Sequence, residues 1–378
     1  MMIDKTPLAV YIHIPFCVRK CLYCDFLSAP FGEMEKERYV DALCSEISAE
    51  AEHYSKHIVE TVFLGGGTPS LLTGQQAEKI FQALRSHLTI APDAEITMEM
   101  NPGTVNKQKL HAYQALGVNR ASLGLQSANE EELRLLGRIH TWEDFKESFL
   151  LCRQAGIENI NVDLMSALPG QTLASYRNTL EKTLALAPEH ISSYSLILEE
   201  GTPFYEHFQT GDALPDEETD REMYALTGQL LKENGYFRYE ISNYAKNGYA
   251  CKHNCVYWQR GDYAGFGLGA ASMVENKRWS NLRDFRTYLD APASGKKEQI
   301  SRLSAQEQME ETMYLGLRMI EGVKCRKFLE AFGKDVFEVY GPVLEKYEKM
   351  GFLTAGESIR LTEKGIDVSN HILADFLL

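Results

Sequence analysis

Short apolar runs with strand-like composition recur through the first half of the chain and alternate with segments of helical periodicity. The runs predict six strands, over residues 8–14, 59–64, 95–100, 120–125, 159–164 and 190–198. Apolar residues three and four apart predict helices between them, among others 36–53, 75–88, 142–155 and 173–186. This alternation indicates a parallel sheet with right-handed crossovers. It leaves open whether six units form a doubly wound sheet or a barrel of fewer than eight strands.

Polar or glycine-rich clusters follow most of the predicted strands. They occupy residues 13–24, 65–70, 99–103 and 126–127, and Asp163 lies near the end of the fifth strand. In parallel α/β folds, ligands collect where the strands end. We therefore expect these polar residues to line one mouth of the sheet.

The pattern changes past about residue 205, which predicts three regions: a strand–helix region over 1–205, a barrel-completing region over 206–295, and a C-terminal domain over 296–378. The second region contains a polar helix (216–234), and residues 291–297 have the composition of a linker. From Ser304 onward, three helices precede two short strands at 352–354 and 358–361, an order typical of a winged helix. Residues 301–378 hold ten Lys or Arg and thirteen Asp or Glu, which favours a packing domain over a DNA-binding one.

Composition narrows the class of protein. Hydrophobic residues make up 44% and charged residues 24%, which is ordinary for a globular protein. The formal net charge of −14 disfavours general nucleic-acid binding. We expect no export signal and no membrane span, because the first residues are polar and no run of about 18 apolar residues occurs. Eight cysteines without an export signal indicate a reducing compartment, so we predict a cytoplasmic protein.

The strongest chemical pattern is a Cys-x3-Cys-x2-Cys triplet directly after the first predicted strand, formed by Cys17, Cys21 and Cys24. Three thiolates on one loop can hold three irons of a cubane cluster and leave the fourth iron open. Arg19 and Lys20 are expected to lower the pKa of the nearby thiols. Zinc, with His13 or Asp25 as fourth ligand, and free structural thiols are the alternatives. Cys44, Cys152 and Cys325 lie on predicted helices and are expected to be small core residues.

The triplet and its surroundings resemble the radical S-adenosylmethionine (SAM) superfamily, within it the branch similar to coproporphyrinogen oxidases. The matching segments follow in order: Tyr11-Ile-His-Ile-Pro-Phe-Cys17, Phe63-Leu-Gly-Gly-Gly-Thr-Pro-Ser70, Glu99-Met-Asn-Pro102, Gly124-Leu-Gln-Ser127, Arg138, and Asp163-Leu-Met-Ser-Ala-Leu-Pro-Gly170. The resemblance implies an α/β fold with a partial (β/α)6 barrel, followed here by the α+β winged-helix-like domain.

The resemblance also implies a 4Fe-4S cluster on the three cysteines and SAM bound to its open iron. Residues implied to contact SAM are Tyr11, Tyr23, Gly66, Gly67, Thr68, Glu99, Gln126, Arg138 and Asp163. Arg138 suits a carboxylate through its planar guanidinium, and Asp163 suits a ribose. Without the resemblance, the glycines would be interpreted as a turn that ends a strand.

Two features distinguish the chain from the coproporphyrinogen oxidases of that branch. Phe26 stands where those enzymes have a fourth cysteine, and only sixteen residues precede Cys17. A third feature, His253-Asn-Cys-Val-Tyr257-Trp258, resembles the haem-binding motif of the radical SAM haem chaperones. A neutral imidazole is a good axial ligand of haem iron, and aromatic rings can cover a porphyrin face. The alternatives are a structural role for His253, and a second metal site or a regulatory thiol pair at Cys251 and Cys255.

The leading hypothesis is therefore a cytoplasmic chaperone that binds haem b and hands it to apo-haemoproteins of the respiratory membrane, with peripheral membrane association. A homodimer is implied by the resemblance only, and no nucleic-acid partner is expected. The rival hypotheses are oxygen-independent coproporphyrinogen III oxidation, or another radical reaction on a tetrapyrrole, and a scaffold stabilised by zinc.

Overall fold

The computed structural model of the protein describes residues 5–290 and 295–378. The first four residues of the predicted linker and the first four of the chain lie outside this range. The strands of the first half are β1 (Thr6–Ile14), β2 (His57–Gly66), β3 (Ile90–Met100), β4 (Arg120–Gln126), β5 (Asn159–Ser166) and β6 (His190–Ser195). Each pairs in parallel with the next, which confirms the predicted α/β fold with a partial (β/α)6 barrel.

Later segments extend this sheet at both ends. They are β7 (Phe237–Arg238), β8 (Asn243–Ala245), β9 (Tyr263–Phe266), β10 (Ala271–Val274), β11 (Lys277–Ser280) and β12 (Glu298–Arg302). Within the described residues, the strand order is β12-β11-β10-β9-β1-β2-β3-β4-β5-β6-β8-β7. The segment after residue 205 thus returns to the beginning of the chain, because β9 pairs in parallel with β1.

The helices of the barrel region lie mostly on the outer face of the sheet, except that the helix that carries His253 reaches the barrel interior. They are α1 (Glu33–Glu50), α2 (Gly74–His87), α3 (Lys107–Ala115), α4 (Glu130–Leu135), α5 (Trp142–Gln154), α6 (Leu173–Ala185), α7 (Pro203–Phe208), α8 (Glu217–Glu233), α9 (Lys252–Trp258) and α10 (Phe285–Asp290), with 3-10 turns at Ala51–Tyr54 and Pro69–Leu71. Alternate strand residues such as Val62, Leu123 and Val162 form the buried core beneath these helices. The residues between them are largely polar and face the barrel interior.

The C-terminal region has its own hydrophobic cluster, which includes Met313, Phe328 and Tyr340. Its elements are α11 (Ala305–Gly316), β13 (Val323–Lys324), α12 (Cys325–Phe332), α13 (Val336–Lys349), β14 (Leu353–Ala355), β15 (Ser358–Leu361), α14 (Glu363–Asp367) and α15 (Ser369–Ala374). The strands pair in the order β13-β15-β14. Three helices followed by a hairpin match the predicted winged-helix order, whereas the boundaries at residues 205 and 295 stay predictions.

Some local predictions differ from the structure. β6 ends at Ser195 instead of residue 198, because its partner β5 ends at Ser166. Cys44 and Cys152 lie within α1 and α5, and Cys325 is the first residue of α12; only Cys152 is fully buried. No helix in residues 5–290 and 295–378 is both long and apolar enough to cross a bilayer.

Candidate functional site

The cysteine loop connects β1 to α1 and is held by backbone hydrogen bonds at both ends. The amide of Cys17 donates to the carbonyl of Ala29 at 3.0 Å, and the amide of Leu22 donates to Leu136 at 3.1 Å. The loop therefore has a fixed position at the C-terminal end of β1. Its three thiols are free and partly exposed.

Each of the three thiols meets a different neighbour. The sulfur of Cys17 lies 3.8 Å from the Thr68 hydroxyl, and Arg138 donates from Nη1 to the sulfur of Cys21 at 3.6 Å. Burial raises the pKa of Cys24 and outweighs the nearby charge of Lys20. The charge of Lys20 does lower the pKa of Cys24, as expected, but burial raises the pKa by more, so the net shift is upward.

Three sulfur donors on one loop fit a cubane cluster, which takes one thiolate per iron. The guanidinium of Arg138 beside Cys21 suits the negative charge of thiolate ligands. In the described part of the chain, no group of three or more His, Cys, Asp or Glu side chains, these cysteines included, is arranged around a single metal ion, so the loop offers the donors of a cluster rather than a preformed single-ion site.

The glycine-rich segment at the end of β2 packs directly against the cysteine loop. The amides of Gly67 and Thr68 donate to the carbonyls of Ile14 and Phe16, at 2.8 and 2.7 Å. A Cβ on Gly67 would lie 2.7 Å from the Phe16 oxygen and 2.9 Å from the Ile14 oxygen, both backbone atoms. Gly66 adopts a φ of 109° and would collide with the His13 ring if it carried a Cβ. Close contact between the two loops thus requires glycine at both positions.

We expect Gly67→Ala to destabilise the protein by about 1–3 kcal/mol, since its Cβ must push two backbone carbonyls apart. The displaced carbonyls belong to the residues that lead into Cys17, so iron incorporation after anaerobic reconstitution should fall as well. Urea unfolding and iron per chain measure the two effects. Gly341→Ala is the control, because a Cβ there meets nothing within 4 Å. Equal unfolding midpoints for the two variants would contradict the packing argument.

Glu99 and Asp163 face a cavity of about 240 Å³ inside the barrel. Burial, reinforced by the Asp163 carboxylate, raises the pKa of Glu99 to about 8, and Glu99 accepts a hydrogen bond from the Gly66 amide at 3.1 Å. Burial also raises the pKa of Asp163, which accepts hydrogen bonds from Asn161 at 2.8 Å and Ser122 at 3.2 Å. The cavity thus presents two carboxyl groups that can bind hydroxyl or amino groups.

Arg138 and Gln126 lie beside the same mouth. Arg138 donates from Nη2 to Asn101 at 2.9 Å and to the Gly124 carbonyl at 2.5 Å, and Asn101 in turn donates to Thr68 at 2.8 Å. Gln126 has a left-handed φ of 69° and accepts a hydrogen bond from Tyr194 at 3.2 Å. The sequence did not single out Asn101 or Tyr194, although Asn101 lies within the matched Glu99–Pro102 segment.

The two tyrosines predicted to contact SAM lie on different elements. The Tyr11 hydroxyl is 3.1 Å from Nδ1 of His13, and its ring stacks on Phe63 at 6.3 Å. Tyr23, on the cysteine loop, packs edge-on against Phe204 at 6.4 Å. Burial raises the pKa of both phenols, so they stay protonated.

His253 lines the same cavity as Glu99 and Asp163, on the side away from the cysteine loop. Its Nδ1 is 2.8 Å from the hydroxyl of Thr61, which precedes Gly66 by five residues on β2, or about 16 Å along the strand. Its Nε2 is 2.9 Å from the Tyr257 hydroxyl, and its ring stacks on Phe63 at 5.0 Å. The side chain is 1% exposed, and burial lowers its pKa to about 3. The imidazole is therefore neutral and enclosed.

Glu95, which the sequence did not indicate, holds the helix that carries His253. Its carboxylate accepts hydrogen bonds from the amides of Lys252 and His253, both at 3.2 Å, and from the Cys251 thiol at 3.6 Å. A carboxylate at a helix N-terminus satisfies otherwise unpaired amides. Burial raises the pKa of Cys251 and of Cys255 to about 12, which keeps both thiols protonated and disfavours a metal-binding or reactive pair.

Comparison with known families gives two domain matches. The radical SAM superfamily model matches residues 11–183, and the HemN C-terminal domain model matches residues 303–368. Coproporphyrinogen III oxidase (HemN) of Escherichia coli has a similar structure, with a TM-score of 0.87 over 99% of this chain and 90% of that enzyme. The two sequences are 23% identical, so this likeness concerns the fold.

Several curated relatives match over most or all of their length. The heme chaperone HemW of Lactococcus lactis is 35% identical over 100% of this chain and 99% of its own length. The heme chaperone HemW of Escherichia coli is 37% identical over the full length of both chains. Mouse radical S-adenosyl methionine domain-containing protein 1, mitochondrial, is 32% identical over 99% of this chain and 88% of its own length.

Proposed function

The chain belongs to the radical SAM superfamily and, within it, to the family of the heme chaperone HemW, and we propose on this basis that it binds haem b and delivers it to apo-haemoproteins. The observation that carries the proposal is the state of His253. It is neutral at any physiological pH, it lies against Phe63 and Tyr257, and its helix is fixed by Glu95. Axial ligation of haem iron requires a neutral imidazole, and aromatic neighbours suit a porphyrin.

The cysteine loop is proposed to hold a 4Fe-4S cluster on Cys17, Cys21 and Cys24. When bound, a reduced cluster would supply one electron for the reductive cleavage of SAM. The chain's own part is to orient SAM: Gly66, Gly67 and Thr68 offer backbone and hydroxyl groups beside the cluster loop. Glu99, Gln126, Asp163 and Arg138 supply polar groups, and Tyr11 and Tyr23 supply ring faces.

Ligation by His253 requires an opening of the closed site, because both ring nitrogens are engaged. We expect Tyr257→Phe to free Nε2 and to strengthen haem binding up to about tenfold, the value of one neutral hydrogen bond. His253→Ala should weaken binding by at least about tenfold and shift the Soret band. Haem titration followed by visible spectroscopy measures both changes.

Matched controls for this titration are available on the surface. His111→Ala and Tyr205→Phe alter the same residue types away from the barrel cavity and should bind haem as the unchanged protein does. Equal affinity and an identical Soret band for His253→Ala would exclude His253 as the ligand.

The whole proposal is tested with the cluster-reconstituted chain. Stoichiometric haem binding, transfer of that haem to an apo-haemoprotein, and no product from coproporphyrinogen with SAM and reductant would support it. Product formation with weak haem binding would replace it with the oxidase. Recipients in the respiratory membrane, peripheral membrane association, a homodimer and a cytoplasmic location belong to the same proposal, and haem transfer to isolated membranes tests the first two.

A further inference from the structure

A pocket of about 380 Å³ lies between the sheet and the C-terminal domain. One wall comes from Trp258 at the end of α9 and from residues just after it, and the other comes from α11, β13 and α12. Trp258 follows His253 by five residues, which places the two side chains about 140° apart around the helix. The motif helix therefore has one face in the barrel cavity and the other at this pocket.

The lining combines flat and flexible apolar groups. Trp258, Met319, Phe328 and Phe332 all line the pocket, and Met319 and Phe328 are buried. The guanidinium of Arg318 lies 4.5 Å from the Trp258 ring centroid, which fixes the ring. Flat aromatic rings and a flexible methionine around an open volume are typical of a ligand site rather than of a finished core.

Two lysines stand at the edge of this apolar lining. Lys324 caps α12 and pairs loosely with Glu321 at 3.9 Å, and Lys327 lies one helical turn further on. The side chain of Lys327 forms no ion pair or hydrogen bond with any residue in 5–290 or 295–378. Arg260, which pairs with Glu311 at 3.3 Å, and Glu321 also line the pocket, so its charged groups are three cations and one carboxylate. In a chain with a net charge of −14, this excess of cations beside apolar groups indicates a ligand that is apolar and carries acidic groups.

We propose that this pocket is a second binding site for the porphyrin of haem, in addition to His253. The macrocycle would contact Trp258 and Phe332, and Lys324 and Lys327 would pair with its two propionates. The inference rests on the proposed function and specifies where haem is held while His253 remains hydrogen-bonded to Thr61 and Tyr257. A volume of about 380 Å³ is within the usual range of small-molecule sites, and the exposed lysines leave the propionate edge in water.

Metal-free protoporphyrin IX isolates this site, because it has no iron for His253 to ligate. Titration of the full-length, cluster-reconstituted chain should quench tryptophan fluorescence, and Trp258→Phe should remove most of the quenching while Trp279→Phe retains it. The double variant Lys324→Ser/Lys327→Ser should raise the Kd about tenfold, the sum expected for two exposed ion pairs. The control Lys334→Ser/Lys364→Ser removes two exposed lysines of the same domain outside the pocket and should leave Kd unchanged.

A chemical control varies the ligand instead of the protein. Protoporphyrin IX dimethyl ester lacks both carboxylates and should bind the unchanged chain about as weakly as the free acid binds the double-lysine variant. Equal Kd values for the double-lysine variant and its control would overturn the proposal, as would competition by laurate at the same strength as the porphyrin. A chain that binds haem but not protoporphyrin IX would overturn this site alone, whereas a chain that binds neither would overturn the proposed function as well.

Discussion

Replacing Glu99 by glutamine is expected to stabilise the SAM-free protein at pH 8.5 by about 2–4 kcal/mol and to leave its stability at pH 4 unchanged. Burial raises the pKa of Glu99 from 4.5 to about 8. Between pH 4.5 and about pH 8, Glu99 is therefore protonated in the folded state and ionised in the unfolded state. Stability then falls as pH rises, by up to about 1.4 kcal/mol per pH unit, and levels off above pH 8. Because Glu99 is partly exposed to the cavity, the expected stabilisation is smaller than the whole pKa difference would give.

The difference in urea unfolding midpoint between the unchanged protein and Glu99→Gln, measured from pH 4 to pH 9, isolates this carboxyl from the other titrating groups. Glu60→Gln is the control, because Glu60 is exposed on β2 and contributes no buried carboxyl. A difference that stays constant across the pH range would refute the assignment. The result matters for function, because a carboxyl that retains its proton near neutral pH must release it before it can pair with a cationic amino group.

The sequence predicted the fold and the cysteine loop because both depend on local pattern. Strand and helix periodicity placed all six parallel strands, and the spacing of Cys17, Cys21 and Cys24 needs no tertiary information. The polar interior of the barrel was missed, although a period of two was present in the strands. In β4, Arg120 and Ser122 alternate with Ala121 and Leu123, a period of two that a description of the run as apolar does not use.

Other parts of the site depend on contacts that no local pattern reveals. Glu95 accepts a hydrogen bond from the amide of His253, which lies 158 positions later in the sequence. Thr61 is hydrogen-bonded to the imidazole ring of the same residue, 192 positions later. The motif predicted which residue could ligate haem, but it did not predict that both nitrogens are occupied. Both nitrogens are occupied because of where α9 packs on the sheet. It meets β2 at Thr61, so the imidazole enters the barrel from the side away from the cysteine loop.

Arg120→Met is expected to lower the free energy of unfolding by about 3–5 kcal/mol, the usual loss when one partner of a buried charge group is removed. Arg120 is 2% exposed, and its charge faces the carboxylates of Glu95 and Asp163. Its Nε has no hydrogen-bond partner among the described residues, so the guanidinium acts mainly through charge. Without it, Asp163 loses a group that lowers its pKa and must take up a proton or remain uncompensated.

Urea unfolding at pH 7 measures the loss, and Arg326→Met is the control, because the Arg326 side chain is 89% exposed. Glu95→Gln in the Arg120→Met background should restore part of the stability, because one uncompensated charge disappears while the amide oxygen keeps one of the two α9 hydrogen bonds, which Glu95 accepts on different oxygens. If Arg120→Met lowers the free energy of unfolding by less than about 1 kcal/mol, or if the double variant recovers none of it, the charge of Glu95 is not compensated by Arg120. Glu95 also fixes the helix that carries His253, so Arg120→Met should weaken haem binding as well. This would link the charge of Arg120 to the proposed haem ligand.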